Sequence, residues 1–200
     1  MRKLILFMHM SLDGYIAAAD GTSSLTAEAG ADDSDTDESV FEVVAELTKH
    51  ADTLLLGRVV ANDLLGYWLT AEAKDPDLSR GARAYARWAT GAHKAVLSNA
   101  EEQLPWENSE LLLATTDADM ERTVSALKRR QGMDIVVHGG VRTAQALTRL
   151  DLIDEFQLVL HPEAQGDGKP LFKDLPRNRT LHLIEVAALK AGAVFLRYRR

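Results

Sequence analysis

The chain has 200 residues, 46% of them hydrophobic and 26% charged, with a formal net charge of −7. That balance is expected of a soluble globular protein with a single domain over residues 1–200. The excess of acid excludes the basic stripe of a nucleic-acid surface, and no apolar run reaches the roughly 18 residues of a membrane span. With no cysteine there is no disulfide, thiol nucleophile or thiolate metal site. Leu4 to Met8 is too short for a secretory leader and is followed by His9, so a cytoplasmic protein is expected.

Residues 3–10 are apolar on both faces and predict a central strand. It runs into Ser11-Leu12-Asp13-Gly14-Tyr15-Ile16-Ala17, where Asp13 is either a carboxylate for chemistry at a strand end or a turn-former. Residues 18–39 lose apolar content and gather Glu28, Asp32, Asp33, Asp35, Asp37 and Glu38, as a solvated loop does. These acids lack the spacing of a calcium loop. An amphipathic helix follows over 40–50, with Phe41, Val44 and Leu47 near one face.

Thr53 to Leu56 predicts a second buried strand, ending at Gly57-Arg58, with a helix over 59–65 behind it. Tyr67 and Trp68 come next, and 72–92 reads as exposed helix. Short strands are expected over 94–99 and 111–114, then a helix over 119–131. Ile135 to Val137 predicts a further strand, which meets a helix through His138-Gly139-Gly140. Paired glycines there bring bare backbone N–H groups and the positive end of a helix dipole to one place, an arrangement suited to an anion. Arg58 at the earlier junction is suited to gripping a phosphate, or else to a surface ion pair. Strands over 153–161, 181–187 and 194–199 close the chain, the last two around a hairpin at 190–192. Five strands alternating with helices and then three with almost none predict an α/β fold. Its sheet is mainly parallel, with an antiparallel C-terminal edge.

Six histidines, His9, His50, His93, His138, His161 and His182, show no metal-ligand spacing, so no metal is expected. His9 and His161 fall on strands and are expected to be packed or hydrogen-bonded. No Gly-x-Ser-x-Gly is present, and the glycine pair is too late in the chain and wrongly spaced for a Rossmann fingerprint.

The ordered set Ser11-Leu12-Asp13-Gly14-Tyr15-Ile16-Ala17, Leu54-Leu55-Leu56-Gly57-Arg58, Val96-Leu97-Ser98 and His138-Gly139-Gly140 resembles the dihydrofolate-reductase-like superfamily. Leu152-Ile153-Asp154-Glu155, His161-Pro162 and Gly166-Asp167-Gly168-Lys169-Pro170-Leu171-Phe172 resemble its RibD C-terminal domain branch, the riboflavin-pathway reductase domain and its stand-alone bacterial relatives. The resemblance implies a three-layer α-β-α architecture around a central sheet of eight strands, binding NADPH. It implies that Gly57, Arg58, Val59 and Val60 lie near the adenosine 2′-phosphate, with Ser98 and Asn99 at the adjoining strand end. Gly139, Gly140, Val141, Arg142 and Thr143 would hold the pyrophosphate, with His138 also in the cofactor site and a strained cis Gly139–Gly140 bond where relatives have one. Ile16 and Ala17 would meet the nicotinamide ribose, and 18–39 would be a lid. Departures are Val60, where relatives carry threonine, and Asn62, where they often carry glutamate. An ungapped match also puts Phe41 where folate reductases have an acid.

The implied chemistry is hydride transfer from NADPH to a C=N or C=O of a small heterocycle, pterin-like or a riboflavin-precursor pyrimidine. Asp13 is the candidate for holding substrate or relaying the proton, and His9, Tyr15, Phe41 and Trp68 would line the pocket. Relatives of this kind are often homodimers. The rival reading is a non-catalytic nucleotide-binding or regulatory dimer on the same fold.

Overall fold

The computed structural model describes residues 1–22, 34–138 and 140–200, with side chains described from residue 38 onward in the first helix. In chain order the elements are β1 (Leu4–Ser11), α1 (Ser34–Thr48), β2 (Ala51–Gly57), α2 (Arg58–Lys74), α3 (Arg80–Gly91) and β3 (His93–Ser98). They continue with β4 (Ser109–Leu113), α4 (Asp117–Arg129), β5 (Asp134–His138), α5 (Val141–Arg149), β6 (Glu155–His161), β7 (His182–Ala188) and β8 (Val194–Arg199). The strands form one eight-stranded sheet in the order β4-β3-β2-β5-β1-β6-β8-β7. All pairings from β4 to β6 are parallel, and β8 is antiparallel to both β6 and β7.

β1 shows why the sheet is a middle layer. Successive side chains of a strand point to opposite faces, and here both faces are apolar. Leu4, Leu6 and Met8 join Val124 and Leu127 of α4 and Ala144 and Leu147 of α5 in one core. Ile5 and Phe7 join Val44 of α1, Leu65 of α2 and Tyr85 of α3 in the other. Leu6 is fully buried, so Leu6→Ala would cost about 2–5 kcal/mol. The result is the α/β fold that the alternation of strands and helices predicts, in the three-layer arrangement that the resemblance implies.

Every expected strand forms, with ends within two residues of the expected ones. The helices between 58 and 91 depart further. α2 runs on to Lys74 and carries Tyr67 and Trp68, because Gly66 faces open space and costs the helix only about 1 kcal/mol. The stretch expected to be exposed helix is instead the end of α2, a break, and α3. Ala82, Tyr85, Ala86 and Ala89 of α3 are buried at helical spacing. A core-facing stripe made mostly of alanine is a weak hydrophobic signal, which hid the buried face of α3 from periodicity.

Candidate active site

β2 and β5 are parallel neighbours, yet their helices leave to opposite faces of the sheet, α2 to one core and α5 to the other. A crevice therefore opens at the C-terminal ends of these strands, where open α/β sheets take ligands. The two helix starts are pressed together. A side chain at Gly57 would run into Thr143 Oγ1 of α5. One at Gly140 would come within 3.3 Å of Val60 Cγ2 of α2, and Gly140 has φ +85°, a conformation that L side chains rarely adopt. Neither helix start receives a side-chain cap, and neither has an acid in its first turn. Their leading N–H groups and positive dipole ends are thus left for an anion. Gly139, and with it the bond to Gly140, lies outside the described residues, as does most of the expected lid over 18–39.

Arg58 opens α2 beside the end of β3, as expected, but its charge is already engaged. Its Nε donates to Glu102 and its Nη1 to Asn62. The guanidinium also lies 5.4 Å from the centroid of the Trp106 ring. Ser98 Oγ donates to the other carboxylate oxygen of Glu102 at 3.0 Å. The hydrogen bond from Arg58 holds the Glu102 carboxyl below its ordinary value, against a smaller opposing effect of burial. Sequence reasoning missed Glu102 and Trp106, which sit in a loop 44 or more residues from Arg58. Val59 is exposed, Val60 half-buried and Asn99 exposed at the strand end.

On the face covered by α1, α2 and α3, rings run in an unbroken series along the strand ends. Phe41 lies edge-on to Trp68 with centroids 5.9 Å apart, and Trp68 edge-on to Tyr85 at 4.8 Å. Tyr85 is 5.4 Å from His138, His138 5.4 Å from Phe7, and Phe7 5.6 Å from His9. His9 stacks on His161 at 5.1 Å, and its Nδ1 shares a hydrogen bond of 2.8 Å with His161 Nε2. The Tyr85 hydroxyl and His138 Nδ1 are 3.1 Å apart. Burial pushes His138 down to about 4. Burial, then the neighbouring His161 and His138, push His9 down to about 3. Both are neutral imidazoles at pH 7, and burial lowers His161 as well. His9, Phe41 and Trp68 all belong to this series, but Phe7, His138 and Tyr85 stand between His9 and the other two. His138, expected in the cofactor site, turns its ring into this series.

Tyr15 and Asp13 lie apart from that wall. Residues 14–17 pair with the loop after β6. Ile16 N–H donates to Lys169 C=O at 2.9 Å, and Lys169 N–H donates to Ala17 C=O at 2.8 Å. Tyr15 bridges to Pro170, and the side chains of Ile16 and Ala17 are buried. Asp13 accepts from Ser11 Oγ at 2.6 Å and from the backbone N–H groups of Gln165 at 3.1 Å and Gly166 at 2.7 Å. The Ser11 hydroxyl first, then the Gly166 amide, hold its carboxyl well below the usual carboxylate range. An ionised acceptor of three hydrogen bonds clamps the 163–168 loop; at neutral pH it carries no proton to give. Val141 is half-buried and packs against the core on the α4 and α5 face. The Arg142 side chain lines a recess of about 170 Å³ with Gln145, Ala146, Arg149, Lys173 and Asp174.

This strand order is that of the dihydrofolate-reductase-like class of α/β folds. Dihydrofolate reductase from Enterococcus faecalis, solved with NADP(H), superposes with a TM-score of 0.55 at 13% identity over 99% of this chain and 96% of that one. The match to the RibD C-terminal domain family spans residues 2–195, and the chain belongs to that family. It is 28% identical to the uncharacterized protein YyaP of Bacillus subtilis (strain 168), over 98% of this chain and 94% of that protein. A structure of a Shewanella sp. PV-4 protein named for riboflavin biosynthesis matches with a TM-score of 0.67 and 24% identity, covering 99% and 98% of the two chains. Among the described residues no helix is long and apolar enough to cross a membrane.

Proposed function

We propose that this protein is an NADPH-dependent reductase acting on a C=N or C=O of a small heterocycle, either a riboflavin-precursor pyrimidine or a pterin. The observation that carries this reading is the meeting of two uncapped, glycine-opened helix starts in one crevice beside a wall of rings. The glycines let the two helix starts approach each other, Gly57 against Thr143 and Gly140 against Val60, so their leading N–H groups would face one dinucleotide together. Gly140, Val141 and Thr143, with Gly139, would hold the pyrophosphate through the N–H groups that open α5. Arg58 and Ser98 would face the adenosine end, and Ile16 and Ala17 the nicotinamide ribose. Bound there, the cofactor would supply the hydride.

The chain's own residues bind and orient. Phe41 and Trp68, half-buried and backed by the buried Tyr85, offer flat apolar faces against which a planar heterocycle can stack. His9 and His138, neutral and tied to His161 and Tyr85, offer ring nitrogens without adding charge to a dry pocket. Asp13 acts by position, holding the 163–168 loop against residues 14–17. A further structural relative supports a pyrimidine substrate. The Thermotoga maritima diaminohydroxyphosphoribosylaminopyrimidine deaminase/5-amino-6-(5-phosphoribosylamino)uracil reductase matches with a TM-score of 0.63 at 19% identity, and this chain spans 56% of it. A homodimer belongs to the same reading, since edge strand β7 leaves Leu183, Ile184 and Val186 exposed. A monomer by sedimentation would remove that part.

The test is a thermal-shift titration with NADPH, followed by its oxidation in the presence of pyrimidine and pterin candidates. A protein that NADPH stabilises and that oxidises it with one of these substrates fits the proposal. No shift at saturating NADPH would sink it.

A further inference from the structure

Arg58 and Ser98 converge on one point, and that point holds a carboxylate. One oxygen of Glu102 takes the Arg58 Nε–H and the other takes the Ser98 hydroxyl at 3.0 Å. The side chains of Arg58 and Glu102 are 26% and 28% exposed, so the pair is partly shielded from water. Asn62 and the ring of Trp106 hold the guanidinium from two further directions. Both groups suited to an adenosine 2′-phosphate thus already face an anion that belongs to the chain, although Arg58 has more N–H groups than the two engaged here and the Ser98 hydroxyl also reaches the Ala100 C=O at 3.0 Å. A phosphate reaching them would enter against the like charge of Glu102. A ribose 2′-hydroxyl faces no such barrier, because a carboxylate in this place can accept its proton in a hydrogen bond, as acids do beside NAD.

We propose that Glu102 sets the cofactor choice of this protein, acting as a built-in anion that competes with the 2′-phosphate and admits the 2′-hydroxyl. The inference rests on the dinucleotide reading of the crevice. Wild-type protein should then discriminate between NADPH and NADH by less than about tenfold, the worth of one charge-assisted hydrogen bond. Neutralising the competitor should widen the gap.

The experiment measures dissociation constants of NADPH, NADH, 2′,5′-ADP and 5′-AMP for wild type, Glu102→Gln and Glu102→Ala. The fragments report on the adenosine end without any turnover. Glu102→Gln keeps the shape and an acceptor for Ser98 but removes the charge. It should tighten NADPH and 2′,5′-ADP about tenfold and leave NADH and 5′-AMP within about twofold. Glu102→Ala should also tighten NADPH, and should weaken NADH severalfold because the acceptor for the 2′-hydroxyl is lost. Melting curves in buffer check that both variants fold, which the position of the residue in a loop outside the core favours. If NADPH binds wild type and both variants alike, or binds the variants more weakly, the role of Glu102 is overturned while the dinucleotide reading stands. If none of the four ligands binds wild type or either variant, the dinucleotide reading falls and takes this inference with it.

Discussion

Two pairs of helix starts differ in one respect. α3, which begins against Phe41, and α4, whose N-cap comes two residues after the Ala114–Ser98 hydrogen bond, are capped by their own side chains. Ser79 Oγ accepts from the Ala82 N–H at 3.2 Å. Thr116 and Asp119 form a reciprocal capping box, with Asp117 and Asp119 adding negative charge to the first turn. α2 and α5 begin in the crevice, and each has a glycine in the capping position with no acid behind it. The protein satisfies its helix dipoles where nothing else will, and leaves them open where a ligand would complete them. Stability lost at the second pair is the cost of a binding site.

The largest expected effect comes from breaking the open pair. Gly140→Val places a branched side chain at φ +85°, within reach of Val60. We expect NADPH binding to weaken at least about a hundredfold, and the backbone strain to cost about 1–3 kcal/mol as well. Calorimetric titration and melting curves separate the two losses. A folded variant that binds NADPH as wild type does would show that the α5 start is not the anion site.

Just before the open end of α5, His138 closes β5, where burial disfavours an imidazolium. His138 is held near 4 and His9 near 3, whereas histidine in the unfolded chain titrates near 6.5. Between those values the unfolded state binds more protons than the folded one, so stability falls as pH drops from about 6.5 toward 4. The loss is on the order of 2–3 kcal/mol for a fully depressed histidine. Melting temperatures followed from pH 7 to 4 should decline through this window, and less steeply in His138→Gln. An identical decline in that variant would place the acid sensitivity elsewhere.

What could be read from the sequence follows the same division. Both open starts were legible, because glycine at a strand end is a local signal and Arg58 stands beside one. The strands were legible because β-branched and leucine runs bury on both faces. The ring wall was half legible: Phe41, Trp68 and His9 could be named, but Tyr85 could not, since its helix buries alanines and its partner His138 lies 53 residues away. Asp13 was legible as a strand-end carboxylate. Its clamp on Gln165 and Gly166, 152 and 153 residues off, is tertiary and leaves no trace in spacing. Glu102 was invisible for the same reason. Its loop follows β3 without periodicity, and only the folded chain brings it to Arg58.

A smaller effect is expected at the α2 start. Arg58→Ala removes the cation and leaves Glu102 without its ion pair, so NADPH should weaken about tenfold. NADH should change by no more than about twofold. Raising the ionic strength should weaken NADPH and NADH alike in wild type, where Arg58 and Glu102 offset each other, and should weaken NADPH less than NADH in the variant, where salt screens the 2′-phosphate from the unpaired Glu102. Equal weakening of both cofactors by the substitution would mean that Arg58 supports the crevice as a whole and does not read the adenosine end.

The smallest effect belongs to the capped pair, and it is the control on the comparison. Thr116→Ala deletes the hydroxyl that accepts from the Asp119 N–H at 3.1 Å. The Asp119 carboxylate would still receive the Thr116 N–H at 3.1 Å and the Thr115 hydroxyl at 2.7 Å, so half of the box survives. Losing a cap costs about 1 kcal/mol, which in a domain of this size lowers the melting temperature by about 2–4 °C. No cofactor contact is expected at α4, so the NADPH dissociation constant should not move. Ser79→Ala should behave alike. Melting curves and NADPH titrations on the same samples provide the check. A cap deletion that weakened NADPH in proportion to its destabilisation would show that binding tracks global stability, and the contrast between open and closed helix starts would lose its functional meaning.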